Sequence, residues 1–186
     1  TGQHGDAQGD SYTSIENAVG SAHGDVIVGT DAQKNVLRGQ GGTDQLYGLT
    51  GDDVLIGGAE ADRLDGGGGI DTADYSEASG GVLIRLWNGT GERAEAEGDT
   101  LTDIENVVGS EWGDVIVGSK DDNRLDAGEG GVDALFGLAG DDVLVANGSQ
   151  LGARSSNGWL DGGAGDDILI GGAGFHRLIG GDGIDT

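Results

Sequence analysis

The sequence predicts an all-β fold: a parallel β-solenoid of nonapeptide repeats, in two related blocks joined by a connector that contains a β-strand. Three observations predict it. A nine-residue motif recurs in tandem, a longer unit recurs after about 89 residues, and 42 of the 186 residues are Gly. Gly and Asp recur too often to allow a sustained helical period of 3.6, so no helix is expected.

The nine-residue motif is clearest between residues 39 and 74. It has the form G-x-x-G-x-D-x-U-x, where U is a large aliphatic residue, and it appears there as GQGGTDQLY, GLTGDDVLI, GGAEADRLD and GGGGIDTAD. Six turn-forming residues followed by x-U-x indicate a tight turn and a very short strand, in which only the middle side chain points inward. Two motifs make one coil, and successive coils stack as parallel strands.

The longer repeat divides the chain into segments. The sequence of residues 9–21 recurs at 98–110, and Asp-Val-Ile-Val-Gly at 25–29 recurs at 114–118. We expect the tail end of a preceding repeat unit at 1–19 and a first block at 20–74. A connector should span 75–108 and contain a strand at 81–87. A second block should span 109–186, with an insertion near 146–158. Both ends fall inside repeat units, which predicts that the remainder of a larger parent chain lies beyond them.

The composition excludes several classes of protein. There are 34 acidic and 9 basic residues, a formal net charge of −25, which disfavours nucleic acid and anionic membranes as partners. Without Cys there is neither a disulfide scaffold nor a thiolate metal site, and no apolar run is long enough for membrane insertion. With hydrophobic residues at 35%, such a charge is expected to keep the chain unfolded unless something neutralises it.

Stacking of the coils places the repeated Asp residues in two ladders. In the first block these are Asp25, Asp44 and Asp62 on one side, and Asn35, Asp53 and Asp71 on the other. Carboxylates at strand spacing repel one another unless a cation lies between them. A site of Asp oxygens and backbone carbonyls favours the hard, geometrically flexible Ca²⁺ over Mg²⁺ or Zn²⁺.

The four tandem motifs between residues 39 and 74 resemble the hemolysin-type calcium-binding nonapeptides of the RTX (repeats-in-toxin) family, G-G-x-G-x-D-x-U-x. The resemblance covers most of the chain and implies a parallel β-roll that binds several Ca²⁺ ions. It assigns side-chain ligand roles to Asp25, Asn35, Asp44, Asp53, Asp62, Asp71, Asp114, Asn123, Asp133, Asp142, Asp167 and Asp185. It implies backbone carbonyl ligands at Gly39, Gly41, Gly48, Gly57, Gly58, Gly66, Gly67, Gly162, Gly163, Gly180 and Gly181.

Some positions depart from the family pattern. Asn35 and Asn123 offer a neutral amide oxygen, so sites that include them should bind calcium more weakly. In the second block Asn157 or Gly158 stands where the next ligand belongs, and His176 replaces an Asp. The other ladder of that block keeps its carboxylates, and we expect more calcium along it: Asp142, Asp167 and Asp185.

Other side chains are expected to serve packing or solubility. Asp residues at the fifth place of the motif and the three histidines should lie at the surface: Asp52, Asp141 and Asp166; His4, His23 and His176. Apolar residues flank the inward aliphatic in one class of strand, and the face they form should be covered, by the strand from Val82 to Trp87 or by the neighbouring block. These residues are Val54, Ile56, Val143, Val145, Ile168 and Ile170.

The sequence favours a non-catalytic role, since it contains no H-E-x-x-H or G-x-S-x-G motif. The resemblance implies a structural module of a bacterial protein that leaves the cell by type I secretion, folds on calcium and acts outside the cell or at its surface. One alternative is an adhesin or surface-layer array that binds glycans or copies of itself, for which exposed aromatic side chains would matter. The other is the non-catalytic C-terminal part of a secreted enzyme or toxin.

Overall fold

A computed structural model describes residues 11–12, 16–31, 33–147 and 157–186. The first half of the described chain contains β1 (Ser11–Tyr12), β2 (Asn17–Val19), β3 (Val26–Val28), β4 (Val36–Gly41), β5 (Gln45–Thr50), β6 (Val54–Ala59), β7 (Arg63–Gly68), β8 (Thr72–Asp74), β9 (Leu83–Arg85) and β10 (Thr90–Glu92). The second half contains β11 (Thr100–Thr102), β12 (Asn106–Val108), β13 (Val115–Val117), β14 (Arg124–Glu129), β15 (Ala134–Ala139), β16 (Val143–Asn147), β17 (Asn157–Ala164), β18 (Ile168–Gly171) and β19 (Phe175–Asp182). Two 3-10 turns, Leu86–Asn88 and Ala94–Ala96, lie in the connector. Residues 1–10 of the expected tail and 148–156 of the expected insertion lie outside the described residues.

The strands form two sheets, and the chain alternates between them. The first has 11 strands in the order β1-β3-β5-β7-β11-β10-β9-β13-β15-β17-β19. The second has 8 strands in the order β18-β16-β14-β12-β8-β6-β4-β2. All neighbours are parallel except β9–β10 and β10–β11. The predicted all-β parallel β-roll is therefore confirmed.

The core is a stack of aliphatic side chains between the two sheets. Most of the short strands bury the residue that points inward, and the registers align these residues, as in Ile27 with Leu46 and Leu46 with Leu64. Such stacking removes apolar surface from water at every coil, although each coil contributes only two large side chains. The fully buried members are Ile27, Leu37, Leu46, Leu55, Leu64, Ile84, Ile116, Leu125, Leu135, Leu144 and Leu160.

The connector is built into the roll. β11 pairs with β7, with Leu101 opposite Leu64, and β12 lies between β8 and β14. β9 pairs in parallel with β13 and returns through β10 to β11 as an antiparallel excursion. Both sheets therefore run continuously from the first set of repeats to the second, and Val82 and Ile84 are fully buried in the core.

The outward apolar residues are only partly covered. Ile56 and Val145 are buried, as expected, but Ile168 and Ile170 are 45% and 47% exposed, so the expectation was wrong there. β18 is the edge strand of its sheet, which leaves it a single neighbour. The covering element was also misassigned, because β9 lies within a sheet.

The cover over Ile56 comes from another part of the connector. Tyr75, Ala78 and Glu95 line a cavity of about 450 Å³ together with Ile56, on the outer face of the 8-stranded sheet. Arg38, on that sheet, pairs with Glu77 across the cavity. No helix in the described part of the chain has the length and apolarity needed to cross a membrane.

Candidate calcium-binding ladders

A first ladder of buried carboxylates runs along one side of the roll. In each rung, one carboxylate oxygen accepts the backbone N–H of the ladder residue in the preceding coil. The N···Oδ1 distances are 2.8 Å from Asp25 to Asp44, 2.8 Å from Asp44 to Asp62, 2.8 Å from Asp62 to Asp99, and 3.0 Å from Asp114 to Asp133. The excursion through β9 and β10 separates Asp99 from Asp114, and Val82 donates its N–H to Asp114 instead.

A second ladder runs in two halves along the other side. Its N···O distances are 2.6 Å from Asn35 to Asp53, 2.8 Å from Asp53 to Asp71, 2.8 Å from Asp71 to Glu105, 2.7 Å from Asn123 to Asp142, 2.9 Å from Asp142 to Asp167 and 3.2 Å from Asp167 to Asp185. The Asn123 amide donates to the Glu105 carbonyl at 2.9 Å and joins the two halves. The structure thus stacks the repeated acidic residues in two columns, as the sequence predicted.

Six carboxylates leave their second oxygen unsatisfied. Within the described residues, the Oδ2 atom has no hydrogen-bond partner in Asp44, Asp53, Asp62, Asp71, Asp142 and Asp167. All six residues are at most 3% exposed. A buried acceptor without a donor is costly, and a charged one more so. Six repeated instances indicate that the second oxygen has another partner.

Glycines bring backbone carbonyls close to these unsatisfied oxygens. A Cβ added to Gly39 would clash with Asp44 Oδ2 and lie 2.5 Å from the carbonyl oxygen of Gly57 in the next coil. Gly48 has the same surroundings, Asp53 Oδ2 and the carbonyl oxygen of Gly66. Only a residue without a side chain permits this close approach of carboxylate and carbonyl oxygens.

The predicted glycine ligands fall into two groups. The carbonyl oxygens of one group lie against ladder turns: Gly39, Gly48, Gly57, Gly66, Gly162 and Gly180. Most of the other group serve the backbone conformation of the turn through positive φ angles: Gly58, Gly67, Gly163 and Gly181. Gly41 has neither feature, since a Cβ there would meet nothing closer than 3.8 Å.

Burial opposes ionisation of the ladder carboxylates. Desolvation raises the pKa of Asp62 and Asp142 to about 7, although a backbone N–H donor acts in the opposite direction. The same cause raises the pKa of other rungs to about 6: Asp44, Asp71, Asp99 and Asp133. Neighbouring carboxylates raise it further at most of these rungs, including Asp167 beside Asp142. Ionised carboxylates therefore destabilise the metal-free ladders, and a bound cation would offset this unfavourable free energy.

Two rungs were missed at the sequence level. Asp99 and Glu105 occupy ladder positions in the connector, where they accept the N–H groups of Asp62 and Asp71. The spacings of 37 and 34 residues hid them, because the nine-residue motif is lost in this segment. A three-residue pattern could have identified them: an acidic residue, followed by any residue and then by an aliphatic residue, as in Asp99-Thr100-Leu101. The Tyr75 hydroxyl donates to Asp99 Oδ2 at 2.8 Å, so this rung is satisfied by the protein itself.

The structure shows which residues occupy the ladder positions where the sequence departs from the motif. Gly158, rather than Asn157, pairs with His176 and stands in the register of Asp133. The His176 ring approaches the space that Gly158 leaves open, and both ring nitrogens are buried without a partner among the described residues. Since His23 is also half-buried, the surface placement expected for these two histidines was wrong. His4 lies outside the described residues, and Asp52, Asp141 and Asp166 are exposed, as predicted.

The donor set fits calcium. It combines unsatisfied Asp oxygens with backbone carbonyl oxygens, which are the hard ligands that Ca²⁺ prefers, and the described ladders offer no thiolate. The fold and the two ladders define the protein as a calcium-binding parallel β-roll.

Comparison with known families assigns the chain more closely. A family model described as the RTX calcium-binding nonapeptide repeat matches four times, over residues 38–73, 108–144, 128–149 and 154–186. These matches cover more than half of the chain, which belongs to this family. Its repeats bind several Ca²⁺ ions per array, so calcium is the cofactor of this protein.

The glycine contacts predict a sharp difference within one turn. Gly39→Ala should prevent the coil from closing on Asp44 and so weaken calcium-dependent folding, raising the calcium midpoint about tenfold or more. Gly41→Ala is the matched control and should fold like the parent chain. Circular dichroism during a calcium titration measures both midpoints, and equal midpoints for the two variants would contradict the close packing of Gly39 against Asp44.

The raised pKa values predict that acid stabilises the metal-free roll. The pKa of these carboxylates rises from 3.8 in the unfolded chain to about 6 at Asp44 and about 7 at Asp62 in the fold. Their protonation stabilises the fold fully below pH 3.8, and this stabilisation is lost as the pH rises through 6 to 7. Metal-free protein in chelator-treated buffer should therefore gain β-structure when the pH falls from about 8 to about 5. Circular dichroism measures this, and a loss of β-signal on acidification would disprove it.

Proposed function

We propose that this chain is a calcium-dependent folding module of a secreted bacterial protein. In low calcium the carboxylate ladders repel and keep the chain unfolded and suitable for export by type I secretion. In calcium outside the cell the ladders are neutralised and the roll forms. The observation that carries this proposal is the set of six buried Asp Oδ2 atoms without a hydrogen-bond partner.

The residues proposed to hold calcium are those that surround these oxygens. Asp44, Asp53 and Asp62 would bind in the first block, with carbonyl oxygens such as that of Gly57 supplied by the next coil. Asp142 and Asp167 would do the same in the second block, together with Asp185, whose Oδ2 lies against Gly180. The ion supplies positive charge to a column of carboxylates, and the chain supplies the register that brings them together.

The energetics support coupling between binding and folding. Each coil buries only two large aliphatic side chains, while the whole chain carries a formal charge of −25. A site that exists only in the folded state adds its binding free energy to folding. Extracellular calcium modules typically bind at about 10⁻⁴–10⁻³ M, well above calcium levels inside cells. The module would then give a secreted protein a stable, extended region after export.

Neighbouring Asp residues provide the test. Asp53 is buried in the second ladder, whereas the adjacent Asp52 is exposed and accepts the Ile70 N–H at 3.0 Å at the surface. We expect Asp53→Asn to raise the calcium midpoint of folding, measured by circular dichroism, by about threefold or more, and Asp52→Asn to shift it less than twofold. A β-spectrum of the parent chain at neutral pH that is unaffected by EGTA would refute the proposal.

A second role at the cell surface is favoured by one outward-facing cluster. Trp159 is 38% exposed, and the Arg177 guanidinium lies 4.4 Å from the centre of its ring. Exposed aromatic rings beside polar side chains offer stacking and hydrogen bonding of the kind that sugars use. As a surface adhesin, the calcium-loaded roll should bind members of a glycan array, and Trp159→Ala should abolish that binding without changing the calcium midpoint. Absence of binding by the parent chain would remove this role.

A further inference from the structure

Ten of the ladder positions fall into two chemical classes. In the first class the second carboxylate oxygen is unsatisfied, as described above for six Asp residues. The residue four places before each of these has a positive φ angle: Gln40, Leu49, Gly58, Gly67, Leu138 and Gly163, with φ of 82°, 80°, 107°, 95°, 81° and 108°. We call these the open positions.

In the second class a Ser or Thr near the start of the turn satisfies the side-chain oxygen of the ladder residue. The Ser21 N–H and hydroxyl both donate to Asp25 Oδ2, at 2.7 and 3.0 Å. The same arrangement recurs in the second block, where the Ser110 N–H lies 2.7 Å from Asp114 Oδ2. The Ser110 hydroxyl lies 2.9 Å from Asp114 Oδ1 and 3.1 Å from Oδ2.

The two Asn rungs belong to the second class as well. The Thr30 N–H donates to the Asn35 side-chain oxygen at 2.7 Å, and the Asn35 amide donates to the Thr30 hydroxyl at 3.0 Å. The Ser119 N–H donates to the Asn123 side-chain oxygen at 2.6 Å. We call these four the closed positions: Asp25, Asn35, Asp114 and Asn123.

Backbone conformation separates the two classes. None of the Ser and Thr residues at the closed positions has a positive φ angle, whereas all six residues at the open positions do. A residue in the left-handed conformation points its backbone N–H in a different direction from a right-handed one. Ser and Thr favour the right-handed turn, in which the side-chain hydroxyl can form a hydrogen bond with a nearby backbone group. The Ser21 and Ser110 hydroxyls do accept such bonds, from the N–H groups of His23 and Trp112 at 3.2 and 3.0 Å.

We propose that calcium binds at the open positions and that the closed positions need no ion, because a Ser or Thr takes its place. This rests on the proposed function of the ladders. An oxygen that already accepts an N–H and an O–H would have to lose both donors to bind a cation, and two of the four closed positions are neutral Asn. The family resemblance assigned ligand roles to all four, so this proposal divides the assigned ligands into two groups.

The closed positions also have a characteristic location. They come in pairs at the start of each block, Asp25 with Asn35 and Asp114 with Asn123, before the open positions of that block. In the first block, the coil that carries Asp25 and Asn35 stacks directly against the coil that carries the open positions Asp44 and Asp53, since β3 pairs with β5 and β4 with β6. The sequence mark is a Gly followed by Ser or Thr at the head of the turn, as in Gly20-Ser21 and Gly109-Ser110.

Matched Asp→Asn variants test the proposal by counting ions. Bound calcium per chain is measured by equilibrium dialysis and atomic emission at saturating calcium, with circular dichroism to confirm folding. Asp44→Asn and Asp142→Asn should each lower the count by at least one ion, whereas Asp25→Asn and Asp114→Asn should leave it unchanged.

The outcomes separate the two hypotheses. Equal losses in all four variants would overturn the division into open and closed positions and leave calcium in the ladders. No loss in any variant would overturn the proposed function itself. If a variant fails to fold, anomalous diffraction from calcium-loaded parent crystals decides: peaks beside Asp44 and Asp142 but none beside Asp25 and Asp114 support the proposal, and peaks beside Asp114 overturn it.

Discussion

The roll depends on the hydrogen bond from the backbone N–H of each ladder residue to the carboxylate of the ladder residue in the next coil. That bond, 2.8 Å from Asp44 to Asp62, fixes the register between coils and satisfies one donor that every turn would otherwise bury. It also forces acidic side chains into a buried column. The same carboxylates therefore set the register and cause the electrostatic repulsion. An apolar residue in their place would remove the repulsion, but it would also remove the hydrogen-bond acceptor that fixes the register.

The apolar core and the polar ladders are complementary in what they specify. The aliphatic stack favours any alignment that places large side chains above one another, since apolar packing is not directional. The carboxylates and the glycines next to them are directional and permit one alignment only, as Gly39 shows by its contact with Asp44. The small apolar core alone gives the fold only marginal stability. The stability of the fold therefore depends on how far the negative charge of the ladders is neutralised.

The sequence predicted most of the fold because one local motif repeats, and each strand, turn and rung follows from its place in nine residues. Asp99 and Glu105 were missed because the chain reaches their rungs only after long excursions, where spacing carries no information. The exposure of Ile168 was missed for a different reason. It depends on which strand lies at the sheet edge, and the nonapeptide is the same at the edge and in the middle.

The excursion through β9 and β10 shows how such a fold tolerates insertions. The chain leaves the stack after β8 and re-enters at β11 opposite β7, so the order of coils in space no longer follows the order of motifs in the sequence. Continuity requires only that a returning segment present an acidic residue and an aliphatic two places later. Arrays of this kind can therefore lengthen by duplication, or acquire foreign segments, without losing their mechanical continuity.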